Sequence, residues 1–402
     1  MELKKHLEAL YFQFEDIVTE SYPSFVWQQK PGPLKGNLPV FSFHSIEAHD
    51  FEEKLEFLKA NRYRTVTSDE AYRYLFIDKK IPEKIVMLTF DDARKSTWVI
   101  AYPLLRKYGF KATVFMVPKL VQEDSTPSPN LEDFWDGKSD IEEISKCDLG
   151  DSPVISWREA RIMQESGVID FQSHSFDHRR IPVSSKIVGF VSPRSIDSFF
   201  FTFDIPLMKD IENDFIEFEK LLGAPIYKSV PSLREKKMFY EDTGLRDECI
   251  RFVSQNGGRA FFREKRWSAQ LFDLVKEHRR YNPGNESFET DEEQYRRITE
   301  SVEEARRLIE KRLPGKRIRH LAYPWGVGCS LSVECSKKVG YLSNFWSTIP
   351  HRPMNVPGGD PYYLVRIKHD LLWRLPGEGR KSLKELFLLK FLRRIRGQID
   401  YQ

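Results

Sequence analysis

The chain alternates continuous apolar runs with polar segments whose apolar residues recur at helical spacing. Leu38 to Phe43 reads as a strand ending at His44. Phe51, Leu55 and Leu58 then share one face of a helix. Thr67 and Glu70 have the spacing of a capping box for a helix through Leu75. Ile85-Val86-Met87-Leu88-Thr89-Phe90 is apolar without alternation, as expected of a strand buried on both faces in a parallel sheet. A helix through Tyr102, Leu104 and Leu105 stops at Gly109, and Ala112 to Val117 forms the next strand. Ser156 and Glu159 open another capped helix, which Gly167 ends. Val168 to Phe171 leads directly into His174. This alternation with short connections predicts an α/β fold with parallel strands.

The rhythm changes between 185 and 315, where Phe-rich, mixed-charge segments precede a long helix expected over Asp291–Leu313. Strand character resumes at Ile318 to Tyr323. The expected organisation is a lead-in over 1–36, a main body over 37–375 carrying 185–315 as an insertion or lid, and a basic helix within 376–402. Leu383 to Arg396 mixes Leu and Phe with Lys and Arg. It reads as a surface helix that packs on the domain, with peripheral membrane contact as the alternative.

Two polar clusters follow strand ends: Thr89-Phe90-Asp91-Asp92 and His174-Ser175-Phe176-Asp177-His178. Two imidazoles and a carboxylate on one face are a common ligand set for hydrolytic divalent metals. His174 and His178 are four apart, which on a helical turn puts both rings on one side. Asp92 supplies the third ligand. Asp91 is then placed to take a proton from the attacking water as general base. Strand ends of α/β sheets and barrels are where such sites are built. Each cluster alone has a plain alternative as a helix cap or solvated turn. Their joint occurrence on successive strand ends is what points to chemistry.

The two clusters resemble the first two motifs of the NodB-type polysaccharide deacetylases, carbohydrate esterase family 4. Pro39 to Ser45 resembles the strand and histidine that open such domains. Lys111 to Phe115 resembles the strand after the first motif, Ile155 to Gly167 the helix before the second, and Tyr323-Pro324-Trp325-Gly326 the third motif. The resemblance covers about 37–180 and 316–375. It implies a distorted (β/α) barrel, to which this chain adds a long insertion between the second and third motifs. It also implies metal-dependent removal of an acetyl group from an N-acetylated sugar, a glycan or glycan precursor. Asp91 is then the base, Asp92, His174 and His178 the ligands of a divalent ion (zinc first, cobalt or nickel next), and the backbone N–H of Trp325 a donor to the oxyanion. Three departures stand out. Ala322 occupies the position of the third-motif arginine, leaving Arg319 and Arg366 as replacements. His369, with His320 as runner-up, is the choice for the acid that protonates the leaving amine. The interval of roughly 130 residues between motifs is far longer than an ordinary loop. His44 reads as a packing or supporting residue, and Trp98 and Trp157 as core. Trp135, Phe199 and Phe200 read as half-buried packing rather than sugar platforms.

Composition narrows the alternatives. Lys+Arg 63 against Asp+Glu 60 leaves a net charge of +3, which argues against nucleic acid as partner. No apolar stretch is long enough for a transmembrane helix. The start of the chain lacks the apolar core of a secretory signal, so a cytoplasmic location is the expectation, with membrane association through the C-terminal segment as the alternative. Cys147, Cys249, Cys329 and Cys335 are scattered and read as reduced thiols. Two other functions compete with deacetylation: a carbohydrate-binding protein that has lost turnover on the same barrel, and hydrolysis of another non-peptide C–N bond.

Overall fold

Strand β1 (Val40–Phe43), β2 (Arg64–Val66), β3 (Ile85–Asp91), β4 (Ala112–Met116) and β5 (Ile169–Ser173) alternate with helices, as the apolar runs predict. After a long interval come β6 (His320–Ala322), β7 (Ser343–Trp346), β8 (Leu364–Val365) and β9 (Ile367–Lys368). The structure is a computed structural model describing residues 21–34, 36–123, 126–144, 153–197, 219–282, 284 and 286–395, with side chains through 389. Most of the expected lead-in, Cys147, Phe199, Phe200 and the end of the C-terminal segment lie outside the described residues.

The nine strands form one parallel sheet. Its order runs β8-β7-β6-β5-β4-β3-β1-β9, with β2 also on β3. Only Arg366 separates β8 from β9. The segment Leu364–Lys368 therefore pairs with β7 on one side (Phe345 with Leu364) and with β1 on the other (Phe41 with Ile367). That closes the sheet into a distorted (β/α) barrel. Every residue of β3, β4 and β5 is buried, which explains why their sequences do not alternate.

Both capping boxes form, at Thr67/Glu70 and at Ser156/Glu159. Gly109 ends the helix Tyr102–Tyr108 in the left-handed conformation, φ 72°, which a glycine adopts without steric cost. Trp98 and Trp157 are core residues, whereas Trp135 is 44% exposed, more than expected. The helix over Leu383–Ile395 buries Leu386 and exposes Phe387 and Leu388. Among the described residues no helix is long and apolar enough to cross a membrane.

The chain divides into two compact units. One comprises 1–177, 301–328 and 336–402 and contains the barrel; the other comprises 178–300 and 329–335. The second unit starts earlier than the insertion expected from 185. It also has a core of its own, built from Ile187, Phe190, Tyr227, Leu245, Val253, Phe261 and Leu271 around an antiparallel ribbon, Arg180–Phe190 with Pro225–Pro231. In it His278 bonds Glu248 through Nδ1 (2.5 Å) and Asp242 through Nε2 (3.1 Å), tying the helix Trp267–Tyr281 to the N-terminus of Thr243–Gln255. Burial lowers the pKa of this imidazole, but the two carboxylates outweigh it and the net shift is upward. A raised folded-state value means that the contribution is full below the unfolded value, about 6.5, and is lost as pH rises through the folded one. His278→Gln will therefore lower the melting temperature by about 2–4 °C at pH 5.5. The difference from wild type will shrink by pH 9, measurable by calorimetry at both pH values.

Candidate metal centre and its base

Asp91 ends β3 and Asp92 follows it; His174 follows β5, His44 follows β1, and Trp325 lies three residues past β6. Parallel strands all deliver their carboxyl ends to one rim of the barrel, so residues far apart in sequence meet there. Asp92, His174 and His178 are buried, and each offers a ligand atom lying within 4.8 Å of the others. The Nδ1–H of His174 donates to the Ala322 carbonyl at 2.8 Å. That bond turns Nε2 toward the carboxylates, 3.7 Å from Asp92 Oδ1, and fixes the tautomer a metal needs. Arg94 donates to the other Asp92 oxygen, Oδ2, from Nη2 (3.0 Å) and Nε (3.3 Å). The donor set, two imidazoles and a carboxylate in a buried cluster, fits a divalent metal ion.

The His174–His178 segment is not the helical turn that its spacing suggested. Ser175 (φ 65°) and His178 (φ 52°) are left-handed, so the two rings converge through bends instead. Asp92 (φ 67°), Ala93 (φ 53°) and Trp325 (φ 53°) share that conformation; these five account for more than half of the nine non-glycine residues with positive φ among the described residues. Backbone strain of this kind concentrates where function over-determines geometry. At the third motif Gly326 has φ 67°, and a Cβ there would lie 2.7 Å from the Ser347 backbone nitrogen, which donates to the Gly326 carbonyl. The turn that orients Trp325 therefore requires glycine next to it.

Of the two arginines considered in place of Ala322, Arg366 lies against Asp91. From the junction of β8 and β9 its Nη1 donates to Asp91 Oδ1 at 2.6 Å, with the guanidinium 5.4 Å over the Phe115 ring and Nε 3.3 Å from the Trp346 carbonyl. Burial would raise the Asp91 carboxyl, but the Arg366 cation, with smaller help from His174 and His44, holds it below the usual carboxylate range. Arg319 is engaged elsewhere, 3.4 Å from Asp69.

The histidines sort differently from expectation. His44 Nε2 lies 3.8 Å from Asp91 Oδ2, and its side chain is 32% exposed. His369 is buried, its ring stacked on Phe43 at 4.8 Å and its Nδ1 3.6 Å from Asp370. His320 is buried in a bond to Ser343 Oγ (2.7 Å) and another to Asp69 (3.1 Å). The sequence signal for His44 was its position directly after a strand, the same signal that singled out His174.

Residues 78–196, carrying both motifs, match the family model for polysaccharide deacetylases. That stretch of the barrel is similar to the polysaccharide deacetylases. A putative polysaccharide deacetylase of Bacillus subtilis, YxkH, is 40% identical over 103 residues, covering 24% of this chain and 36% of that protein. The poly-beta-1,6-N-acetyl-D-glucosamine N-deacetylase of Staphylococcus epidermidis is 26% identical over 225 residues, covering 56% of this chain and 62% of that one. The chain thus spans between about a third and three-fifths of the length of these relatives. A solved de-N-acetylase from Aggregatibacter actinomycetemcomitans superposes with a TM-score of 0.49 at 15% identity, covering 82% of this chain and 94% of that one.

Proposed function

We propose that the chain is a metal-dependent hydrolase that removes the acetyl group from an N-acetylated sugar of a glycan. The observation that carries this reading is the division of labour between adjacent carboxylates. Asp92 joins His174 and His178 in a ligand cluster, while Asp91, one residue away, is held as an anion by Arg366. A group that only bound sugar would have no use for a separately polarised carboxylate. The replacement of the third-motif arginine by Arg366 also removes the one feature that favoured an impaired barrel.

Asp92, His174 and His178 would hold the ion, with zinc first and cobalt or nickel next. The bound ion would supply Lewis acidity toward the acetyl carbonyl and toward water. Asp91 accepts the proton of the attacking water through Oδ2, since Oδ1 is engaged by Arg366. The Trp325 backbone N–H is assigned to the oxyanion of the tetrahedral intermediate, where one such donor contributes about 3 kcal/mol. His44, rather than His369, is assigned the delivery of a proton to the leaving amine. Its Nε2 lies 3.8 Å from Asp91 Oδ2, too far for a direct hydrogen bond, so a proton would pass from base to acid by way of the reacting water or the amine.

Acetate release from N-acetylated oligosaccharides tests the reaction. Activity should vanish with a chelator and return with zinc or cobalt. A metal-free protein that still released acetate would refute the reading. For the acid, His44→Gln should lower kcat by about 10²-fold with the ion still bound, whereas His369→Gln should act mainly on stability. The reverse pattern would restore His369 to the mechanism.

A further inference from the structure

A cleft of about 460 Å³ opens in the second unit, lined by Ser192, Arg194, Arg259, Arg263, Phe262 and Trp267 together with Pro193. Its volume suits a small ligand. Arg259 is held in place, with Nη2 2.8 Å from Asp197 Oδ1 and Nε 2.7 Å from Glu219 Oε1. Arg194 and Arg263 are exposed and have no acidic partner among the described residues. The exposed acid Glu264 follows Arg263, and Lys265 and Arg266 come after it, exposed as well. The three arginines of the lining meet two carboxylates, Asp197 and Glu219, both held by Arg259, so the cleft itself carries an excess of positive charge.

The aromatic part of the lining limits what can bind. Phe262 and Trp267, both half-buried, meet at 61° with centroids 5.0 Å apart. Two rings crossing at that angle make two walls of a corner. A planar nucleobase could stack on only one of these walls, whereas a pyranose chair can lay C–H groups on one wall and its edge on the other. Guanidinium forks match phosphate oxygens in pairs, and the forks of Arg194 and Arg263 have no acidic partner among the described residues. We infer that this cleft binds the phosphate-bearing sugar unit of a glycan or glycan precursor, with Arg194 and Arg263 on the phosphate and Phe262 and Trp267 against the ring.

Calorimetric titration of the full chain tests this with glucose 1-phosphate, glucose, inorganic phosphate and adenosine monophosphate. Glucose has no acetyl group, so the rim of the barrel offers it no reaction. Glucose 1-phosphate should bind the wild-type protein and lose about tenfold or more in the Arg194→Gln/Arg263→Gln variant, the loss expected for hydrogen bonds between charged groups. Glucose and inorganic phosphate should each bind at least about tenfold more weakly than glucose 1-phosphate. Affinity should fall with added salt. Both substituted residues are exposed, so circular dichroism should show an unchanged fold. Equal binding by the double variant would overturn the site. Equal binding of inorganic phosphate or of adenosine monophosphate would overturn the assignment to a sugar phosphate.

Discussion

Asp91→Asn will take up the same amount of metal as the wild-type protein and release acetate about 10²–10⁴-fold more slowly. The two halves of this result follow from two sets of contacts. The ligand cluster is Asp92, His174 and His178, and Asp91 is not in it. The Arg94 contacts to Asp92 and the Ala322 contact to His174 remain when Asp91 is changed. Asparagine keeps an oxygen that can accept from Arg366 but has no basic oxygen to offer water. Arg366 is buried, 3% exposed, and will face a neutral partner, so the variant should also melt lower. Breaking a buried pair outright removes about 3–5 kcal/mol, and a retained hydrogen bond should keep the loss below that. Metal content by emission spectroscopy, acetate release and thermal melting read the three effects separately. Full activity in Asp91→Asn would show that the base has been misassigned. Loss of the metal would show that Asp91 belongs to the ligand set.

Much of this site was legible in the sequence because buried parallel strands leave uninterrupted apolar runs, and the polar residues that end them stand out. Asp91, Asp92 and His174 were found in this way, and both capping boxes announce themselves by spacing. Arg366 could be named only as one of two candidates. Its place opposite Asp91 depends on barrel closure, with β9 pairing β1 across most of the chain, and no local pattern encodes such a pairing. His44 was read as support because a single histidine after a strand carries no partner in sequence; its partner, Asp91, comes two strands later. The His174–His178 spacing was read with helical geometry, but Ser175 and His178 bring the rings together in left-handed conformations that composition does not reveal. The second unit was seen as a change of rhythm, while its start at 178 was hidden because β5 and the second motif run into it without a break.

Glu159→Ala will destabilise the protein by about 3–5 kcal/mol and weaken metal binding, although Glu159 is not a ligand. Its carboxylate is 1% exposed and carries four bonds at once. Lys95 Nζ donates to both oxygens (3.1 and 2.8 Å), the Ser128 N–H to Oε1 (2.9 Å) and the Ser156 N–H to Oε2 (2.8 Å). Removing it strands the Lys95 ammonium, 4% exposed, without a counter-charge. The effect should reach the metal because Lys95 belongs to the loop that follows Asp92. The Lys95 N–H bonds the Pro153 carbonyl (2.7 Å) and the Ile155 N–H bonds the Ala93 carbonyl (3.0 Å), which pins the left-handed residues Asp92 and Ala93. The helix before the second motif thus holds the first motif in its strained form. Lys95→Met/Glu159→Met separates charge from architecture: replacing both ions by apolar side chains should recover much of the stability that Glu159→Ala loses. Denaturant melts of the single and double variants, paired with zinc titrations, measure this directly. If Glu159→Ala bound zinc with wild-type affinity despite its lost stability, the loop would be holding its shape without the helix, and the strain at Asp92 and Ala93 would have to be balanced within the barrel rim itself.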